Sequence, residues 1–166
     1  MSPFGGVDQL VTSEVLQEIS DEIFESKIIN DVDLMITFET AGSLLTTAIS
    51  LQTGVPFIIA RKKKFDLPNE VSFGVTTNFD RKNFYIYGNV QGKKIVLVDD
   101  VAASGSTLRA AAEALQAKGA HVKAMVVAIA KNSATGKQYQ DTFKDLNIPF
   151  IALVKIKVDQ EIEFIE

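Results

Sequence analysis

The 166-residue chain has no cysteine and a single histidine, His121. Disulfides and thiolate metal sites are thereby excluded, as are a zinc cluster and a Cys–His nucleophile pair, and a reducing, cytoplasmic setting is expected. No apolar run is long enough to span a bilayer, so a membrane is not expected as a partner. The opening MSPFGGVDQL lacks a basic region followed by an apolar stretch and does not read as a secretory signal. Positive charge is also scarce: the formal net charge is −4, which argues against sequence-independent affinity for nucleic acid and makes any anion site local. Apolar content of 46% and charged content of 23% suit one soluble domain over 1–166, without low-complexity segments or linkers.

What is there alternates. Thr12 or Ser13 caps an expected helix that ends near Lys27, with Val15, Leu16, Ile19, Ile23 and Phe24 recurring at helical spacing. DLMITF (33–38) has the length of a buried strand, ETAGS (39–43) is a small polar loop, and LLTTAISLQT (44–53) is an expected helix. Gly54 and Pro56 close that helix before a second strand, FIIAR (57–61). From Lys62 to Gly92 the pattern becomes alternating, as in VSFGV (71–75) and FYIY (84–87), and predicts a long, partly exposed hairpin. An excursion of this length is often a lid.

The pattern then repeats. KIVLVDD (94–100) predicts a strand, VAASGS (101–106) a loop, TLRAAAEALQAK (107–118) a helix closed by Gly119, and HVKAMVVAIA (121–130) another strand. A further helix is expected over 135–147 and a last strand over 149–158. Two strand–loop–helix–strand units imply an α/β fold with a mostly parallel central sheet flanked by helices.

In such sheets ligands sit beyond the carboxyl ends of the strands. The loop after the second repeat carries Ala103, Ser104, Gly105, Ser106 and Thr107, whose backbone N–H groups can approach an anion ahead of a helix dipole. It is neither a Walker A loop nor a G-x-G-x-x-G loop. An isolated S-G-S-T would read as a helix cap; the preceding pair Asp99–Asp100 changes that. Adjacent carboxylates repel and must be solvated, paired or used, and they suit ribose hydroxyls or a Mg²⁺ held mainly through waters. Acids and anion loop together span one phosphorylated sugar.

VLVDDVAASGST (96–107) resembles the phosphoribosyl-pyrophosphate (PRPP) signature of the type I phosphoribosyltransferase family. The likeness runs from about Asp31 to Lys131 and looks closest to the purine branch, the archaeal-type hypoxanthine or adenine and bacterial xanthine enzymes. FETAGSLLTTAISLQTGVPFIIARKKKFDLPNEV (38–71) is similar to their stretch from the pyrophosphate loop to the Leu-Pro that opens the flexible loop. It departs where Phe38 stands in place of the usual glycine.

The resemblance implies a small hood from the N- and C-terminal segments, a homodimer, and transfer of the phosphoribosyl group from PRPP to a purine base with release of pyrophosphate, aided by Mg²⁺. It implies that Asp99 and Asp100 hold the ribose hydroxyls and, through water, the metal, and that Ala103 to Thr107 bind the 5-phosphate. Glu39, Thr40, Ala41 and Gly42 would form the pyrophosphate loop with backbone amides, with Arg61 and Lys62 touching the pyrophosphate. The segment from about Lys63 to Tyr85 would close over PRPP, and Lys131 would contact the base oxygen, which favours a 6-oxopurine because an ammonium only donates.

The chemistry agrees. Displacing pyrophosphate creates an oxocarbenium-like centre and an anionic leaving group, so anion clamps and exclusion of water matter more than a protein nucleophile. Arg61-Lys62-Lys63-Lys64 supplies local positive charge; four basic residues in a row otherwise read as a solvated face. His121 follows the helix-ending Gly119, at the wrong end of its strand, and reads as surface; Phe79, Phe84, Tyr85 and Tyr87 are explained by hairpin alternation. Alternatives are a PRPP-binding regulator without turnover, for which about thirty residues before the first core strand are too few to add a DNA-binding domain, and an enzyme for adenine or orotate.

Overall fold

The computed structural model describes residues 11–76, 81–133, 139–158 and 162–165. Helix α1 (Ser13–Glu25) starts where expected: the Thr12 hydroxyl accepts from the Val15 N–H at 3.4 Å. It stops short of Lys27, because the Ser26 hydroxyl donates to the Ile23 carbonyl and Lys27 turns to φ 58°, a left-handed conformation that cannot continue a helix. Ile23 is buried, whereas Val15 and Phe24 lie at the rim of the apolar stripe and are exposed.

The sheet contains β1 (Leu34–Phe38), β2 (Phe57–Ala60), β5 (Lys94–Ala102), β6 (His121–Ser133), β7 (Phe150–Val158) and β8 (Ile162–Ile165), in the order β2-β1-β5-β6-β7-β8. All pairings are parallel except β7 with β8. Strand β8 was not expected: four residues at a sheet edge carry too little pattern to announce themselves. Helix α2 (Gly42–Thr53) joins β1 to β2 and α3 (Ser106–Ala117) joins β5 to β6. α2 begins two residues before the expected start, and Gly54 at φ 73° ends it as expected.

Every residue of β1 is buried, which its apolar run requires, because both faces of the sheet are covered. On one face Met35, Val96, Val98 and Val126 pack with Ile23 of α1 and Leu45 and Ile49 of α2. On the other, Ile36, Leu97, Met125 and Val127 pack with Leu108, Ala111, Ala112 and Leu115 of α3. Full burial of each Val, Leu, Ile or Met side chain among them contributes roughly 1.5–3 kcal/mol, which holds the strands and helices together.

The segment 62–92 forms the expected hairpin, β3 (Glu70–Thr76) with β4 (Arg81–Tyr87), as a separate two-stranded sheet. Its alternation buries Val71, Phe73, Val75, Phe84 and Ile86 in the α3-side core. It is tied to the main sheet where Arg61 and Tyr85 exchange backbone hydrogen bonds, both 2.8 Å. A free flap from Lys63 to Tyr85 is therefore not what the packing gives: its inner face is core. Phe84 is core as alternation predicts, and Phe79 lies outside the described residues.

The helix expected over 135–147 is reduced to α4 (Tyr139–Phe143), with 134–138 outside the described residues. The cause lies on another helix. Arg109 Nη1 donates to the Thr142 carbonyl at 2.6 Å, the oxygen that the Leu146 N–H would use in a continuing α-helix. Leu146 N–H instead bonds the Phe143 carbonyl, a tighter turn, and Asn147 at φ 52° redirects the chain toward β7.

Candidate active site

β1 leads outward to β2 while β5 leads the other way to β6, so the chain reverses direction between β1 and β5, the switch point where open α/β sheets bind ligands. α2 leaves toward one face and α3 toward the other, and the crevice between their N-termini is flanked by residues 39–42 and 99–107.

Asp99 and Gly42 meet here. A Cβ placed on Gly42 would lie 2.7 Å from Asp99 Oδ1, 2.8 Å from Thr37 Oγ1 and 3.3 Å from the Asp99 Cα. Only glycine lets the first turn of α2 approach β5 this closely. Asp99 Oδ1 also accepts from the Asp100 N–H at 3.0 Å. Burial, and then the neighbouring Asp100 carboxylate, push the Asp99 carboxyl well above the ordinary carboxylate range. Asp100 is itself 9% exposed. Thr37, fully buried, has no hydrogen-bond partner for its hydroxyl among the described residues. Sequence reasoning passed over it, although a lone hydroxyl in an apolar strand was the available signal.

Glu39 binds β1 to β2 at the site's edge. Its N–H donates to the Ala60 carbonyl at 3.1 Å, and its Oε2 accepts from the Lys62 N–H at 3.1 Å. The carboxylate is thus turned toward the basic segment, and the Glu39–Thr40 peptide is cis. Ala41 precedes α2 without any side-chain cap. The side chains of Arg61 and Lys62 are exposed and have no ion-pair partner among the described residues. Phe38, the departure from the family pattern, packs edge-on against Phe73 and Phe84, with ring centres 6.3 and 5.9 Å away. A glycine there would leave the hairpin rings without that partner.

The loop after β5 is not a serine cap. The residue before α3 is Gly105 at φ 73°, with no side chain to accept from the first-turn N–H groups. Ser104 Oγ and Ser106 Oγ lie 3.0 Å apart, and the Ser106 N–H reaches Ser104 Oγ only at 3.4 Å. Ala103 is exposed and Thr107 partly buried. The first turn of α3 is therefore presented much as that of α2 is: both flank the acid pair, and both lack a side-chain cap.

Lys131 is one strand away. Ala102 of β5 pairs with Ala130 of β6, so Lys131 stands level with the start of the 103–107 loop, at the same end of the sheet. Beside it Asn132 is buried and its Oδ1 accepts no hydrogen bond from the described residues. That residue also escaped the sequence reading. His121 is exposed at the opposite end of β6, as expected. Among the described residues no three His, Cys, Asp or Glu side chains gather into a metal cage, so a protein-only metal site is absent there. No described helix is long and apolar enough to cross a membrane.

A mostly parallel, doubly wound sheet with an acid pair between two helix N-termini that lack a side-chain cap at its switch point has the form of an anion-binding α/β fold. The phosphoribosyl transferase domain model matches residues 7–161, and the chain belongs to that family. It is 34% identical to a hypoxanthine/guanine phosphoribosyltransferase of Methanothermus fervidus, over 99% of this chain and 86% of that protein. A protein of the same name from Methanohalobium evestigatum is 35% identical over 91% of this chain and 76% of its own length. Among solved structures, an adenine phosphoribosyltransferase from Rhodothermus marinus superimposes with a TM-score of 0.73 at 18% identity, covering 87% of this chain and 81% of that one. That likeness shares the fold: a mostly parallel sheet flanked by helices.

Proposed function

We propose that this protein is a purine phosphoribosyltransferase of salvage metabolism, acting on a 6-oxopurine. A ring nitrogen of the base forms a bond to C1 of PRPP as the C1–oxygen bond to pyrophosphate breaks. The bonding pair leaves with the pyrophosphate, the ring nitrogen gives up its proton to the pyrophosphate or to solvent, and the products are a nucleoside 5′-monophosphate and pyrophosphate. The observation that carries this reading is the contact of Gly42 with Asp99, which sets two anion-accepting helix ends on either side of one acid pair.

On this reading Asp99 and Asp100 receive the ribose hydroxyls, and the backbone of Ala103, Ser104, Gly105, Ser106 and Thr107 receives the 5-phosphate. The backbone of Glu39, Thr40, Ala41 and Gly42 takes the pyrophosphate, with Arg61 and Lys62 adding charge from the β2 end. Lys131 donates to the 6-oxygen of the base. Arg61, Lys62 and the uncapped amides stabilise negative charge as it develops on the leaving group. Two adjacent carboxylates without a third protein ligand suit Mg²⁺, which keeps most of its waters and binds substrate phosphates. Bound there, the ion supplies charge neutralisation for the pyrophosphate. The chain acts as one domain over 1–166, with a hood from its terminal segments, in a cytoplasmic homodimer. Residues 63–69 act as cover, because the hairpin's inner face is held in the core.

The relatives named for hypoxanthine and guanine support the base class. The test offers purified protein PRPP and Mg²⁺ with each of hypoxanthine, guanine, xanthine, adenine and orotate while pyrophosphate release is measured. Release with hypoxanthine or guanine is expected; silence with every base would refute the proposal.

A further inference from the structure

The short helix α4 lies beneath the 103–107 loop and is fastened to it twice, and the chain around it is held to α3 by Arg109. The Thr142 hydroxyl, fully buried, donates to the Ser104 carbonyl at 2.6 Å. The Phe143 ring covers Gly105: a Cβ there would lie 2.4 Å from its Cζ. From α3, Arg109 donates to the Thr142 carbonyl at 2.6 Å and forms a two-pronged pair with Asp145, at 2.6 and 2.9 Å. Its Nε also donates to Glu113 at 2.8 Å. The Asp145 carboxyl is held down to about 2 by Arg109, so the pair stays ionised throughout the working pH range.

These contacts act on the backbone, not on a ligand. A loop that binds an anion with its N–H groups must hold its peptide planes in one orientation, and a carbonyl fixed on the far side of a peptide fixes the N–H that follows it. The Ser104 carbonyl belongs to the peptide whose N–H is that of Gly105, the residue that opens α3.

We propose that Thr142 is a positioning residue for phosphate binding: its hydroxyl, held in place by Arg109 and Asp145, sets the Ser104–Gly105 peptide so that the loop receives the ribose 5-phosphate group. This rests on the reading of 103–107 as the 5-phosphate site. It makes α4 a support for the sugar-phosphate end of the site and leaves the pyrophosphate end, built from 39–42, independent of it.

The experiment titrates ribose 5-phosphate and, separately, inorganic pyrophosphate with Mg²⁺ into the full-length protein by calorimetry. Thr142→Val keeps the shape and loses the donor; Thr142→Ser keeps the donor. Thr142→Val is expected to weaken ribose 5-phosphate by about ten-fold, with pyrophosphate unchanged within about two-fold, and Thr142→Ser to restore wild-type binding. Unchanged ribose 5-phosphate affinity in Thr142→Val, or equal weakening of both ligands, overturns the proposal. Should Thr142→Val not fold, Asp145→Asn, on an exposed side chain, decides: about three-fold weaker ribose 5-phosphate alone supports it, and no change overturns it. A wild type that binds pyrophosphate but no ribose 5-phosphate would instead refute the 5-phosphate site itself.

Discussion

The end of β5 with the loop after it and the end of β6 lie at the same end of the same sheet, one strand apart, and are built differently. From the end of β5 into the loop after it, ten consecutive residues from Val98 to Thr107 bring an acid pair, a left-handed glycine and an uncapped helix start, and other elements brace them. Gly42 presses on Asp99 from one side, and Phe143 and Thr142 hold Gly105 and Ser104 from the other. The end of β6 carries Lys131 and the buried amide of Asn132, and the residues from 134 to 138 lie outside the described set. On the proposed reading, one region takes the constant part of the substrates, the sugar phosphate, and the other takes the part that differs among bases, so preorganisation is concentrated where the ligand never changes.

Substitutions should separate the two regions, and the largest effect is expected at Asp99. Asp99→Asn should lower kcat/KM by about a hundred- to a thousand-fold with every base alike, as steady-state kinetics would show. The same change should stabilise the empty protein. The raised pKa of Asp99 means that the folded state holds its proton more tightly than the unfolded chain, so stability falls as pH rises from about 4 toward that raised value. Asparagine escapes this loss. Its melting temperature should exceed that of wild type toward alkaline pH and converge with it as pH falls to about 4. An Asp99→Asn protein less stable at the higher pH would contradict the assigned environment.

Gly42→Ala comes next. The added methyl must displace Asp99 or the start of α2, and a displacement of about 1 Å should cost about a hundred-fold in kcat/KM, again irrespective of base. A near-wild-type Gly42→Ala enzyme would mean that the close approach is not needed. The smallest effect is expected on the other side: Lys131→Ala should raise KM for hypoxanthine by about ten-fold, leave KM for PRPP unchanged, and narrow the preference over adenine. An unchanged base preference would remove Lys131 from the base site.

The same contrast governs what could be read from the chain alone. The mostly parallel sheet, the two βα units and the glycine-containing loop before α3 were legible because each depends on neighbours in sequence: apolar runs, small residues, a helix-ending Gly54. The hairpin was legible as alternation, but its role as core was not, since burial of Phe73 and Phe84 depends on Phe38, more than thirty residues earlier. Helix α4 was overestimated because its stop signal is supplied by Arg109, on another helix. Thr142, whose hydroxyl donates to the Ser104 carbonyl, carries no local sign of that contact, and Thr37 and Asn132 are distinguished only by buried polar atoms without a partner among the described residues. Long-range contacts completed the site and escaped the sequence.

The central claim is that the switch-point acids, and not the β6 segment, hold PRPP. Calorimetric titration of PRPP with Mg²⁺ into wild type, Asp99→Asn and Lys131→Ala tests it most directly. The account predicts binding by wild type and Lys131→Ala within about two-fold of each other and at least about ten-fold weaker binding by Asp99→Asn. Equal affinity in all three, or a loss confined to Lys131→Ala, would contradict it.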